Sequence, residues 1–252
     1  NVDSLFRGLN KAHGALFLTS GQETASTFDA DISTKSHPSL TNKESLCYNT
    51  NSNGGYDNRG FYSGKVCLMK FFDRKREIEI LRTIRERSRE TAQFTVLTGR
   101  RRVGKTALIA KSYEDTPFVY LFVERKGEKE LCETFKDEIE EKLGHIIHGT
   151  PSRFSEIFEE LLLTAEERNL TVVIDEFQEF LKINPSVFSS IQKLWDLHKG
   201  KARINLIVTG SVNTLMRKLF KSKKAALYGR ETAFMILSPF TTSVLKEILA
   251  TY

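Results

Sequence analysis

Residues 97–109, LTGRRRVGKTALI, combine residue types that bind phosphate groups. Gly99, Gly104, Lys105 and Thr106 match the spacing G-x-x-x-x-G-K-[ST]. The glycines let backbone N–H groups converge on phosphate oxygens, and the following helix presents its positive end. The lysine adds a point charge, and the threonine hydroxyl can bind Mg²⁺. The motif follows an apolar strand-like run and opens a helical one, so the pattern predicts a phosphate-binding loop.

The variable positions of this loop are occupied by three arginines and a valine. Two interpretations of the arginines stay open: they tune the field around the phosphates or face a neighbouring subunit, or they are simply solvated. The predicted phosphate-contacting stretch consists of Gly99, Arg100, Arg101, Arg102, Val103, Gly104, Lys105, Thr106 and Ala107.

Two adjacent acids follow a second apolar run, TVVIDEF. Ligands of open α/β sheets bind at the carboxyl ends of the strands, where Asp175 and Glu176 are expected. Asp175 is predicted to hold Mg²⁺ together with Thr106. Glu176 is predicted to orient or deprotonate an attacking water. The alternative is that both acids only cap the next helix.

Hydroxyl groups and an arginine complete the candidate site. IVTGS ends another apolar run, so Thr209 and Ser211 could sense the γ-phosphate or the water, or they could form a strand-end turn with a serine cap. Arg230 in YGRET is assigned a catalytic role on the γ-phosphate, in cis or from a neighbour, with a structural ion pair as the alternative.

The run RKLFKSKK, residues 217–224, is the densest basic cluster in the chain. Its alternatives are a solvated helix end and a surface for DNA or a protein partner. The net charge of +6 does not decide between them.

The helices and strands that must position these residues are predicted from residue 67 onwards. KREIEILRTIRERSRE has helical spacing of Ile78, Leu81 and Ile84. Almost uniformly apolar strands (FTVLTG, FVYLFVE, LTVVIDEF, INLIVTGS and, last, AFMILSPF) alternate with helices predicted at 105–114, 129–143, 152–167 and around 191–198. Ser152 is the expected N-cap of its helix, with Glu156 near the capping-box position. Such alternation predicts an α/β fold with a parallel sheet covered on both faces.

The first 66 residues have a different composition. Between residues 20 and 64, 23 of 45 residues are Ser, Thr, Asn or Gly, and apolar residues show no period. This segment is expected to be a largely disordered polar extension, with the domain proper at 67–252. The sequence contains no run of 18 apolar residues, so no membrane span is predicted. The three cysteines form no recognisable pairs, which favours a reducing, cytoplasmic location.

Over residues 68–252 the chain resembles the archaeal-type ATPase family, a STAND branch related to AAA+ ATPases. The resemblance is carried in order by FFDRKREIEIL, TGRRRVGKTALI, VVIDEFQEF, IVTGSVNTLM and ALYGRETAFMILSPF. Asp175 lies 70 residues after Lys105, a distance suited to a strand inserted between the two, as in the additional-strand class of three-layer P-loop NTPases. The resemblance implies ATP rather than GTP. It also implies that Phe72 and Arg74 border the adenine pocket, and that Thr209 to Ser211 form a sensor segment. A winged-helix region typically follows such a core.

Together these features predict a Mg²⁺-dependent ATPase that couples ATP binding and hydrolysis to a conformational switch. Two other functions stay open: a nucleotide-gated interaction module that does not hydrolyse ATP, and a DNA-associated AAA+-like factor. A homo-oligomer is a further open alternative.

Overall fold

The computed structural model describes residues 71–144 and 146–251. The predicted polar extension at 1–66 and the domain boundary at 67 lie outside these residues. The elements, in chain order, are α1 (Lys75–Arg87), β1 (Gln93–Thr98), α2 (Lys105–Ser112), β2 (Val119–Phe122), α3 (Glu128–Leu143), α4 (Phe154–Glu167), β3 (Leu170–Asp175), a 3₁₀ turn (Phe177–Glu179), α5 (Phe180–Ile183), α6 (Val187–His198), β4 (Ile204–Gly210), α7 (Asn213–Lys221), β5 (Ala233–Ile236) and α8 (Thr242–Thr251).

The five strands form one sheet in the order β2-β3-β4-β1-β5, and every neighbouring pair is parallel. The three central strands are buried along their whole length, which explains why their sequences read as continuous apolar runs. The α/β fold with a parallel sheet is therefore confirmed.

Strand β4 lies between β1, which leads into the glycine-rich loop, and β3, which ends in Asp175. This is the additional-strand arrangement that the sequence predicts, but β4 follows β3 in the chain. The strand that separates β1 from β3 in sequence is β2, and it lies at the sheet edge. Periodicity identifies strands and cannot order them in space.

Alternating strand residues divide the core into two layers. On one face Phe94, Val96 and Val172 belong to a large aromatic-rich cluster with helices α3, α4, α6 and α7. On the other, Leu97 and Val173 pack with residues of α1 and α2. Helices therefore cover both faces, as a three-layer fold requires.

The helix predicted at 152–167 begins two residues later than expected. Helix α4 starts at Phe154 and its N-cap is Arg153, whose side chain makes no capping hydrogen bond, so the assignment of Ser152 as the cap is wrong. Glu156 accepts the backbone N–H of Ser152, just before the helix, at 2.9 Å. The N–H of Phe154, the first helical residue, is accepted by Oε1 of Glu128 in α3 at 2.9 Å, so a carboxylate from another helix satisfies it.

Within the described part of the chain, every helix is too short or too polar to cross a lipid bilayer.

Candidate nucleotide site

The glycine-rich loop connects β1 to α2 at the carboxyl edge of the sheet. Gly99 has no room for a side chain, because a Cβ there would lie 2.7 Å from the carbonyl oxygen of Leu237 and 2.9 Å from Val103. Gly104 has φ +93° directly before α2, a backbone conformation that favours glycine. Both glycines are therefore required by the path of the loop. The three loop arginines, Arg100 to Arg102, are exposed.

Lys105 opens α2 and is buried. Its Nζ donates to the carbonyl oxygen of Gly99 at 3.0 Å and to that of Arg100 at 3.5 Å. Burial lowers the pKa of the ammonium group, while the charges of Asp175 and Glu176 act in the opposite direction. The lysine thus places a poorly solvated positive charge against the loop that would hold phosphates.

Asp175 ends β3 and is the most densely hydrogen-bonded group of the site. Its Oδ2 accepts the Thr106 hydroxyl at 3.3 Å and the Tyr120 hydroxyl at 2.6 Å. Its Oδ1 accepts the Thr209 hydroxyl and the backbone N–H of Glu176, the latter at 2.8 Å. Four donors, from α2, β2, β4 and the residue that follows β3, fix this buried carboxylate at the mouth of the loop.

Glu176 directly follows Asp175 in a left-handed conformation, with φ +53°. For a residue with a side chain this conformation is uncommon and costs about 1–2 kcal/mol. Glu176 is the residue at which the chain leaves β3 for the 3₁₀ turn. Oε2 of Glu176 accepts hydrogen bonds from the Ser211 hydroxyl at 2.7 Å and from the side-chain amide of Gln178. The predicted water-activating acid is therefore anchored to the residue that follows β4 and to the 3₁₀ turn.

The donor set fits Mg²⁺ and a nucleoside triphosphate. Thr106 and Asp175 bring a hydroxyl and a carboxylate oxygen to 3.3 Å, and both are hard oxygen ligands of the type Mg²⁺ prefers. The side-chain-free cradle at Gly99, the N-terminus of α2 and the buried Lys105 charge are suited to phosphate.

The two residues expected near the adenine pocket are buried, and Arg74 is held by several contacts. Phe72 and Arg74 are both buried. Arg74 donates to the carbonyl oxygen of Ser238, pairs with Glu77 at 3.2 Å and stands 4.6 Å from the ring centre of Phe240. It thereby connects the start of α1 to the segment after β5.

Arg230 lies at the other edge of the sheet from the phosphate loop. Two residues later, Thr232 donates its N–H to Phe94 near the start of β1, whereas Leu237 bonds to Thr98 at its end. The five residue steps from Thr232 to Leu237 span about 16 Å of strand. The Arg230 backbone therefore lies toward the amino end of the strands, away from the phosphate loop of its own chain.

Arg230 instead forms a two-pronged ion pair with Asp196 of α6, with donor–acceptor distances of 2.7 and 3.1 Å. Its Nη1 also donates to the Ala226 carbonyl at 2.8 Å. Burial opposes ionisation of Asp196, but hydrogen bonds and charge from Lys199 and Arg230 outweigh it and lower its pKa. This contact is the structural ion pair that the sequence analysis gave as the alternative role of Arg230.

Two residues of the site, Tyr120 and Gln178, were not predicted from the sequence. Tyr120 stands in a short apolar strand, where an aromatic residue indicates only packing. Gln178 follows the acidic pair in DEFQ, and this proximity is its only signal. Their hydrogen bonds to Asp175 and Glu176 arise from strand order and from the turn after β3.

The parallel sheet, the glycine-rich loop and the carboxylate on the strand beyond β4 define a P-loop NTPase domain of the additional-strand class. Residues 71–252 match the family described as an ATPase domain predominantly from Archaea. The chain belongs to this family, which confirms the resemblance seen in its motifs.

Two proteins illustrate what the chain is similar to. An uncharacterized protein of Methanocaldococcus jannaschii is 28% identical over 177 residues, which cover 70% of this chain and 38% of that protein. A Walker-type ATPase of Pyrococcus abyssi superposes with a TM-score of 0.56 at 24% identity, covering 72% of this chain and 57% of that one.

Two solved structures share the fold at lower identity. Cdc6p of Pyrobaculum aerophilum gives a TM-score of 0.50 at 20% identity, covering 70% of this chain and 48% of that one. The Aeropyrum pernix ORC1 protein, solved in complex with DNA, gives 0.52 at 14% identity, covering 72% and 49%. The chain therefore spans between about a third and three fifths of the length of these relatives.

Proposed function

We propose that this chain binds ATP with Mg²⁺ and hydrolyses it. The observation that carries the proposal is the convergence of Thr106, Asp175 and Glu176 beside the glycine-rich loop, with Thr106 and Asp175 3.3 Å apart and Glu176 next in the chain. A structural cap needs no lysine buried beside the glycine-rich loop, whereas a triphosphate site does.

In this proposal each group has one task. Backbone N–H groups of residues 99–107 and Lys105 hold the phosphates, and Thr106 and Asp175 hold Mg²⁺, which neutralises phosphate charge when bound. Glu176 accepts a proton from water as the water oxygen attacks the γ-phosphorus. The bond from that phosphorus to the bridging oxygen breaks, and the electron pair leaves with ADP.

The contacts of Thr209 and Ser211 support a link between nucleotide state and β4. Thr209 holds Asp175 and Ser211 holds Glu176, so a change at either carboxylate is transmitted to the strand that precedes α7. We place the conformational switch in this strand–helix connection. Phe72 and Arg74 keep their proposed place beside the base, where Arg74 fixes the segment after β5.

Arg230 acts in this account on a neighbouring molecule. Its position toward the amino end of the strands and its partly exposed guanidinium favour action in trans. The exposed loop arginines face outward at the opposite edge. A homo-oligomer that juxtaposes these two edges would complete the site with a transition-state charge.

The proposal is tested by phosphate release from ATP in Mg²⁺ and in EDTA. We expect turnover only with Mg²⁺. Lys105→Ala is expected to bind ATP at least tenfold more weakly, because it removes the buried charge. Turnover that is unchanged in EDTA would contradict the proposed metal site.

A second candidate function is DNA binding through α7 and the turn after it. Met216, Leu219 and Phe220 bury one side of this helix, so the basic residues of the 217–224 run face solvent. The exposed set is Arg217, Lys218, Lys221, Lys223 and Lys224. The Aeropyrum pernix ORC1 protein, solved in complex with DNA, shares the fold.

Salt dependence tests this candidate. If these cations contact DNA phosphates, the logarithm of affinity should fall with the logarithm of salt by about 0.9 per contact. Replacing Lys218, Lys223 and Lys224 by alanine should reduce this slope by about 3. An unchanged slope would leave the run as a solvated surface.

A further inference from the structure

The side chain of Gln178 is buried at the back of the candidate site. It is only 2% exposed, and its Nε2 donates to Oε2 of Glu176. Its Oε1 is buried and, among the described residues, accepts no hydrogen bond. Leaving a buried amide oxygen without a donor is unfavourable, and an apolar side chain of similar size would avoid that cost. The contact with Glu176 is what distinguishes glutamine from such a side chain.

Neighbouring residues make room for this amide. A Cβ at position 210 would lie 2.5 Å from Oε1 of Gln178, so glycine at the end of β4 allows the amide to lie against the backbone. The next residue, Ser211, donates to the same Oε2 of Glu176 at 2.7 Å. Two donors from different elements thus converge on one carboxylate oxygen.

This arrangement divides the work between the two oxygens of Glu176. Oε2 is held by Gln178 and Ser211, while Oε1 accepts no hydrogen bond from any of the described residues. A carboxylate fixed through one oxygen presents the other in a defined direction, which a general base requires. The left-handed backbone at Glu176 aims this carboxylate but does not fix its side-chain torsions.

We propose that Gln178 is a positioning residue that, with Ser211, clamps Oε2 of Glu176 so that Oε1 is the oxygen that receives the proton of the attacking water. The proposal rests on the proposed hydrolysis of ATP. It concerns the rate of cleavage and leaves ATP binding to the loop.

A double-mutant cycle in the full chain tests this role. Gln178→Met keeps the approximate volume and removes the donor. We expect kcat for ATP to fall about tenfold or more, because small misplacements of a catalytic group have effects of this size. KM and ATP affinity should stay within about twofold of wild type. In a Glu176→Gln background the same substitution should lower the residual rate less than twofold, because Gln178 acts through that carboxylate.

Gln93→Met is the matched control. Gln93 is also buried and hydrogen-bonded, to Thr91, but it lies at the start of β1. The Gln93→Met substitution should leave kcat unchanged. Ser211→Ala gives an independent measure, since it removes the second donor from a half-buried position outside the core. Its effect on kcat should also disappear in the Glu176→Gln background.

The outcomes separate the two proposals. Wild-type turnover with an unchanged kcat in Gln178→Met overturns the positioning role and leaves hydrolysis standing. An equal loss in both backgrounds also overturns it and assigns Gln178 to packing. A wild type no faster than Lys105→Ala overturns the proposed hydrolysis and, with it, this inference.

Discussion

The hydroxyl of Tyr120 donates to Oδ2 of Asp175 at 2.6 Å, the same oxygen that accepts the hydroxyl of Thr106. The edge strand β2 thereby supports the carboxylate proposed to hold Mg²⁺, from the side opposite to β4 and Thr209. Hydrogen bonds of this kind orient a metal ligand without contacting the metal.

Tyr120→Phe should weaken the binding of Mg²⁺ without changing the nucleotide-binding loop. We expect the Mg²⁺ concentration for half-maximal turnover to rise about tenfold, the lower end of the range for such partners. Tyr113→Phe is the control, because Tyr113 is a buried tyrosine hydrogen-bonded to Leu81 and Asn205 instead. A Mg²⁺ titration that moves equally in both variants would contradict the assigned role.

Gly99→Ala should distort the start of the loop. Its Cβ would meet the Leu237 carbonyl, which is backbone and cannot rotate away. We expect a loss of about 1–3 kcal/mol in the free energy of unfolding, together with weaker ATP binding. Gly200→Ala, which has open space around it, should be close to neutral. Denaturant unfolding measures both, and equal midpoints would rule out the steric argument.

ATP affinity should fall with pH in the alkaline range because burial lowers the pKa of Lys105 below 10.5. The ammonium binds phosphate and the free amine does not, so affinity is full below the lowered pKa and is lost as pH rises through it. Binding of a fluorescent ATP analogue in EDTA isolates this effect from Mg²⁺. Lys105→Arg, which stays charged, should flatten the alkaline limb. A wild-type affinity with the same alkaline limb as Lys105→Arg would disagree with this account.

Mixing two inactive variants tests the action of Arg230 on a neighbour. Lys105→Ala lacks the phosphate charge but retains Arg230, and Arg230→Ala has the converse defect. If Arg230 acts in trans, turnover by the mixture should exceed the sum of the two separate rates. If it only pairs with Asp196, Arg230→Ala alone should turn over at the wild-type rate and lose thermal stability, as Asp196→Asn would.

The sequence predicted the parts of the fold that depend on local pattern. The strands appear where apolar runs predicted them, and α2 begins at Lys105 immediately after Gly104. Local pattern could not assign β4 to the position between β1 and β3, because strand order depends on how the whole chain packs. Ser152 was misassigned because the helix begins two residues later, where Glu128 of a different helix accepts the first helical N–H, a contact that local pattern does not predict.

The site shows the same division. The spacing around Lys105 and the acids after β3 mark their own positions, and the fold brings them together at one edge of the sheet. Tyr120 and Gln178 could not be found in this way, because their partners are set by neighbouring strands and by a tight turn. Arg230 carried an ambiguous signal, since one residue type serves ion pairs and transition states equally well.

The most direct measurement of the central claim compares the rates of phosphate release from saturating Mg²⁺-ATP by the wild type and Glu176→Gln. The variant keeps the shape and most contacts of Glu176 but removes the base. We predict that it binds ATP as tightly as the wild type and releases phosphate at least a hundredfold more slowly, within the range for loss of a general base, about 10²–10⁴-fold. Equal rates for the two proteins would contradict the assignment of Glu176 as that base.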